Sequence, residues 1–130
     1  MNKMLELVFE ARQFVSSDNQ VVKIYGETSK LQCEFLQKLI LENNFSESLE
    51  IGFAYGMSTL AITEAIVNNG GKHVVIDKFQ FSMVNGYGLD LLKQAGYIHK
   101  LEFIEEYCYV ILPQLLQRGR KFDFAYATFL

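Results

Sequence analysis

The sequence predicts an α/β fold, a parallel β-sheet flanked by helices and preceded by two further helices. Three observations carry this. From Ser48 onward, short β-branched or apolar runs alternate with stretches of helical apolar spacing. Those runs are apolar almost throughout, as strands are when both sheet faces are covered. Strands that alternate with helices form parallel sheets with right-handed crossovers.

Met4, Leu7, Val8, Ala11, Phe14 and Val15 fall at helical spacing, predicting a helix over 4–15 that the turn formers Ser16, Ser17, Asp18 and Asn19 end. A second helix is expected from an N-cap at Thr28, with Leu31, Phe35, Leu36, Leu39 and Ile40 as its apolar stripe and Asn43-Asn44 as its end. Residues 49–53 read as a short buried strand and 58–68 as a helix stopped by Asn69, Gly70 and Gly71. A β-branched strand follows at 73–77. A helix over 84–95 ends at Gly96, although Gly86 and Gly88 blur its start. Residues 101–104 form a third strand, 109–117 a helix despite Pro113, and 122–129 a fourth strand. No repeat, low-complexity tract or linker interrupts the chain.

The 130 residues suffice for one domain with a core, and a composition half apolar and 21% charged is that of a globular chain. A net charge of -3 with no basic block argues against a nucleic-acid surface. No apolar run approaches the roughly 20 residues that span a bilayer, and the N-terminus lacks signal-peptide features, so no membrane role and cytoplasmic residence are expected. Cys33 and Cys108 form no metal-type pair; Cys33 reads as a core residue. His73 and His99 are isolated near strand edges and read as solvated.

The chemistry concentrates where the first of these strands meets its helix. Gly52 lets the backbone leave the strand sharply, and Gly56 does the same nearer the helix. The free N–H groups at the start of that helix suit a carboxylate or phosphate, and Ser58 adds a hydroxyl. Asp77, twenty-five positions after Gly52, ends the next strand and can accept hydrogen bonds from a ribose diol. The Gly52–Gly56 spacing is not G-x-G-x-x-G, and Gly56-Met57-Ser58 lacks a P-loop lysine. A nucleoside joined to an amino acid fits best.

Leu49-Glu50-Ile51-Gly52 followed by Gly56-Met57-Ser58-Thr59 resembles the first motif of class I S-adenosylmethionine-dependent methyltransferases, especially the small-molecule O-methyltransferase branch. Ile76-Asp77-Lys78-Phe79-Gln80 resembles the acidic motif of the second strand. Gly88-Leu89 with Leu92, Ala95 and Gly96 resembles the following helix. Leu112-Pro113 with Leu115, and Gly119 through Phe122-Asp123-Phe124-Ala125, resemble the approach to the fourth strand. The ordered set covers residues 28–126.

The resemblance implies a Rossmann-like domain over 1–130, with N-terminal helices over 1–47 and cofactor-binding βα units over 48–130. It implies S-adenosylmethionine as cofactor. Glu50, Gly52, Gly56 and Ser58 would surround its methionine part, Asp77 would hold the ribose hydroxyls, and Phe79 would lie by the adenine. Methyl transfer to oxygen or nitrogen of a small molecule is the implied activity, with no catalytic base assignable. Where the branch carries a glycine beside the adenine, this chain has Glu106, followed by Tyr107. Where the branch carries a metal-supporting aspartate at the fourth strand, this chain has Thr128, so no metal is expected. The implied strand order is third, second, first, fourth, incomplete relative to the family's seven strands. That order makes the fourth strand an edge, apolar through Phe122, Phe124, Ala125, Tyr126, Phe129 and Leu130. A homo-oligomer, another chain or the N-terminal helices would cover it. A non-catalytic module acting through that edge is the alternative function.

Overall fold

The computed structural model of the chain describes residues 1–26 and 28–128. Helix α1 (Lys3–Ala11) starts at Asn2, whose side chain accepts from the Leu5 N–H, and buries Leu5, Val8 and Phe9. It stops earlier than its apolar spacing suggests. Arg12 turns left-handed (φ 55°), and the next residues leave the helix for a hairpin absent from the sequence reading. Strands β1 (Gln13–Val15) and β2 (Val21–Lys23) pair antiparallel, with Phe14 opposite Val22 on the buried side. Three-residue strands are too short for a period of two to stand out from a period of 3.6.

Helix α2 (Lys30–Glu42) is capped by Ser29 rather than Thr28. The Gln32 N–H donates to the Ser29 hydroxyl at 3.2 Å, and the Ser29 N–H donates to Gln32 Oε1 at 3.0 Å. The buried stripe also differs from expectation: Leu31 and Phe35 face solvent, while Cys33, Leu36, Gln37 and Ile40 face inward. Gln37 explains the rotation. Its Nε2 donates to the Ala61 carbonyl at 3.0 Å and to Glu64 at 2.7 Å, so a polar residue holds a core position with its donors satisfied.

Strands β3 (Glu47–Ile51), β4 (Lys72–Ile76), β5 (Leu101–Ile104) and β6 (Phe124–Ala127) form one parallel sheet in the order β5-β4-β3-β6, the order the resemblance implies. Helix α3 (Met57–Asn68) buries nine residues between the sheet and α2. On its side of the sheet, Met57, Leu60 and Ala61 join Val75 and residues of α1 in one core cluster, while Ile62, Ala65 and Ile66 join Leu36 and Ile40 in another. Helix α6 (Cys108–Gln117) covers the opposite face, where Leu115 packs with Leu49, Val74 and Ile76. Both faces of β3 and β4 are therefore covered, the α6 side by apolar side chains and the α3 side by apolar side chains together with buried Ser48, Glu50 and His73.

The stretch expected as a helix over 84–95 is two helices, α4 (Gln80–Val84) and α5 (Tyr87–Gln94), separated where Asn85 and Gly86 both turn left-handed. The remaining boundaries fall within two residues of the sequence reading. Phe124 and Tyr126 of β6 pack against the α2–α3 cluster and Phe122 against the α6 cluster, while Ala125 and Ala127 stay exposed. Asp123 ties the start of β6 to β3: the Ser46 and Glu47 N–H groups donate to its carboxylate and hold its pKa below the usual value. Phe129 and Leu130, also read as part of the apolar edge, lie outside the described residues. Among the described residues no helix is long and apolar enough to cross a membrane.

Candidate functional site

The four parallel strands end at one carboxyl edge, where ligands of open α/β sheets bind. The β3–α3 turn crosses the middle of that edge. Gly52 has φ +99°, a value side chains rarely adopt, and its N–H donates to the Ile76 carbonyl at 2.9 Å. A Cβ on Gly52 would lie 2.6 Å from the Thr128 hydroxyl, so the end of β6 sits directly against the turn. Gly56 closes the turn as the N-cap of α3, in a left-handed conformation and with no side-chain cap. The first-turn N–H groups of α3 have no carbonyl within the helix to bond, and the positive end of its dipole faces the sheet edge.

Asp77 follows β4 and reaches across to this turn. Its Oδ2 accepts from the Phe53 N–H at 2.8 Å and the Ala54 N–H at 3.3 Å, and its Oδ1 accepts from the Phe79 N–H at 2.6 Å. The carboxylate thus braces the glycine turn against the neighbouring strand. Three of its roughly four acceptor positions are occupied, and one on Oδ1 is left for a hydroxyl donor. Gln80 braces the turn from the other side. Its Nε2 donates to the Ala54 carbonyl at 2.8 Å while its Oε1 accepts from the Gly88 and Leu89 N–H groups. Helix α5 therefore lies so close that a Cβ on Gly88 would stand 2.3 Å from the Ala54 oxygen.

Glu50 is fully buried beneath α3. The Ser58 hydroxyl donates to its Oε2 at 2.6 Å, and the Thr59 hydroxyl donates to its Oε1 at 2.7 Å. His73 Nε2 lies 2.9 Å from the same Oε1, and His73 Nδ1 lies 2.7 Å from the Ser48 hydroxyl. This corrects the reading of His73 as solvated: it is buried, because it shares a sheet face with Ser48 and Glu50 and both of its ring nitrogens are paired with them. His99 is exposed. Phe79 is partly exposed beyond Asp77 and meets the Tyr107 ring edge-on at 5.8 Å. Tyr109 stacks on Tyr107 at 5.1 Å, and the Lys78 ammonium lies 5.6 Å from the Tyr107 ring.

The structure therefore gathers Gly52, Gly56, Ser58 and Asp77 around one turn, with Glu50 beneath it and Phe79 beside it. Four contributors are not among the site residues the sequence predicts: Ser48, Thr59, His73 and Gln80. The signal for two of them, Ser48 and His73, was present as polar residues on two strands, with Ser48 two positions before Glu50 on one and His73 on the other. Such residues on one buried face must pair. Gln80 carries no such pattern. Among the described residues, no group of three or more His, Cys, Asp or Glu side chains is placed to hold a metal ion.

A family model described as O-methyltransferase matches residues 5–128. A protein of Arabidopsis thaliana provisionally named a caffeoyl-CoA O-methyltransferase is 32% identical over 112 residues, covering 82% of this chain and 47% of the relative. Caffeoyl-CoA O-methyltransferase 2 of Petunia hybrida is 30% identical over 103 residues, covering 76% and 41%. Among solved structures, the O-methyltransferase TomG of Streptomyces achromogenes, in complex with SAM, superposes with a TM-score of 0.73 at 22% identity. That superposition covers 98% of this chain and 53% of TomG. The chain spans about half the length of the relatives it matches. With a family match that runs from α1 to just past the end of β6, the chain belongs to the O-methyltransferase family.

Proposed function

We propose that the chain binds S-adenosylmethionine at the glycine turn and supplies the cofactor half of an enzyme that methylates an oxygen, or less favourably a nitrogen, of a small molecule. The observation that carries this is the placement of Asp77 against the Gly52–Gly56 turn, beside the uncapped start of α3. The donor set matches the ligand's two polar ends. First-turn N–H groups of α3 would take the methionine carboxylate. The remaining acceptor position of Asp77 would take a ribose hydroxyl, and Phe79 with Tyr107 offers an aromatic wall for the adenine. The bound sulfonium supplies an electrophilic methyl group; this chain's residues hold and orient it. TomG and a SAH-bound methyltransferase of Podospora anserina carry such ligands on the same fold, which supports the reading.

The family match favours this enzymatic reading over a non-catalytic module. Cytoplasmic residence and a homo-oligomer or partner covering β6 complete the proposal, since β6 has a single sheet neighbour among the described residues. Isothermal titration with S-adenosylmethionine tests the core of it. Wild type binds, and Asp77→Ala weakens binding about tenfold or more, because the hydroxyl contact and the brace on the turn are lost together. No binding by wild type, or unchanged affinity in a folded Asp77→Ala protein, overturns it.

A further inference from the structure

The buried side chains under α3 form one continuous chain: Ser48, His73, Glu50, then Ser58 and Thr59. Its direction follows from chemistry. The Ser58 and Thr59 hydroxyls both donate to the Glu50 carboxylate, and a carboxylate only accepts. His73 Nε2 must therefore carry the proton that faces Glu50. In the neutral ring Nδ1 is then the acceptor, which the Ser48 hydroxyl supplies with a donor and so fixes the tautomer. Glu50 receives three hydrogen bonds in a fully buried site, two on Oε1 and one on Oε2.

We propose that His73 is a positioning residue for cofactor binding, acting through Glu50 to hold the first turn of α3 in its ligand-competent place. The proposal rests on the S-adenosylmethionine reading above. Helix α3 has no side-chain cap at Gly56, so no side chain at its N-cap holds the first turn. The two hydroxyls of that turn are instead tied down to Glu50 on β3, and Glu50 is held from β4 by His73. The N–H groups that would meet the ligand carboxylate belong to these same residues. His73 and Glu50 are both fully buried, so they act through the turn they anchor. Losing the His73 donor leaves a buried carboxylate short of one partner and frees it to shift, taking Ser58 and Thr59 with it.

Titration calorimetry of the 130-residue chain with S-adenosylmethionine, well below each variant's Tm, separates positioning from bulk stability. His73→Leu keeps apolar volume but removes the donor, and weakens affinity about tenfold. His73→Gln returns an amide donor near the position of Nε2 and restores affinity to within about threefold of wild type. In His73→Leu, adding Ser58→Ala costs less than it does in wild type, since the anchor is already slack. Unchanged affinity in His73→Leu overturns the proposal, as does equal weakening by Leu and Gln. If His73→Leu does not fold, Ser48→Ala reads the same chain: several-fold weaker binding supports the proposal and unchanged binding overturns it. Wild type that binds no cofactor overturns the proposed function and this proposal together; binding by wild type with an indifferent His73 overturns this proposal alone.

Discussion

Helices α2 and α3 lie side by side, yet they begin in opposite ways. At the start of α2, Ser29 and Gln32 close a reciprocal capping box on the protein surface. At the start of α3, Gly56 offers no side chain, and the hydroxyls of Ser58 and Thr59 turn inward to Glu50 instead of back to the helix end. The first arrangement satisfies the orphan donors of the helix with its own residues. The second leaves them to another partner while fixing the turn from below. On the proposed function, the anchored but uncapped start of α3 at the carboxyl edge of the sheet is the one left open to a ligand, while the capped start of α2 serves stability.

Two substitutions break this contrast from either side. Gly88→Ala has the larger effect. Its Cβ would meet the Ala54 oxygen at 2.3 Å, and backbone cannot yield as a flexible side chain does. Destabilisation of about 3 kcal/mol is expected in denaturant melts, together with weaker S-adenosylmethionine binding, because α5 is pushed off the turn. Ser29→Ala removes the box on α2 and lowers stability by about 1 kcal/mol, with cofactor affinity unchanged. A change in affinity on Ser29→Ala would show that the two helix starts are coupled and would dissolve the distinction.

Much of this was legible in the sequence, for stated reasons. The β3–α3 turn announces itself through Gly52 and Gly56, and the sheet through strands whose apolar runs contrast with amphipathic helices. What escaped was settled by tertiary contacts. Phe14 and Val15 continue a helical spacing but pair with β2, since Arg12 turns the backbone left-handed. Leu31 and Phe35 read as core until Gln37 finds Ala61 and Glu64, which fixes the roll of α2. His73 read as solvated because strand register, which brings it beside Ser48 and near Glu50, is not written in one strand alone. Gly52, Gly56 and Ser58 share one turn because glycine spacing is local; the anchors that escaped are scattered over β3 (Ser48), α3 (Thr59), β4 (His73) and α4 (Gln80), and only the fold brings them together.

The smallest expected effect concerns how the β1–β2 hairpin holds α5, and through α5 the turn. The Ser17 N–H donates to Asp90 Oδ2 at 2.8 Å, the Ser17 hydroxyl donates to Oδ1, and Gln94 donates both to Asp90 and to the Val15 carbonyl. Burial alone would raise the Asp90 pKa. The hydrogen bonds from Ser17 and Gln94, with the Lys93 charge, outweigh it and leave the pKa below its usual 3.8. A carboxyl held low in the folded state contributes its stability above the unfolded value and loses it as pH falls through the folded one. Wild type should therefore shed this contribution only in acid, below about pH 4. Asp90→Asn should cost about 0.5 kcal/mol at neutral pH, the low end for an exposed hydrogen-bonded group. The two proteins' Tm values should converge as acid removes what the substitution already has. Melts that stay parallel from pH 7 down to acid would mean that Asp90 does not hold the hairpin by charge. The capped and uncapped helix starts would then differ without any support from the N-terminal hairpin.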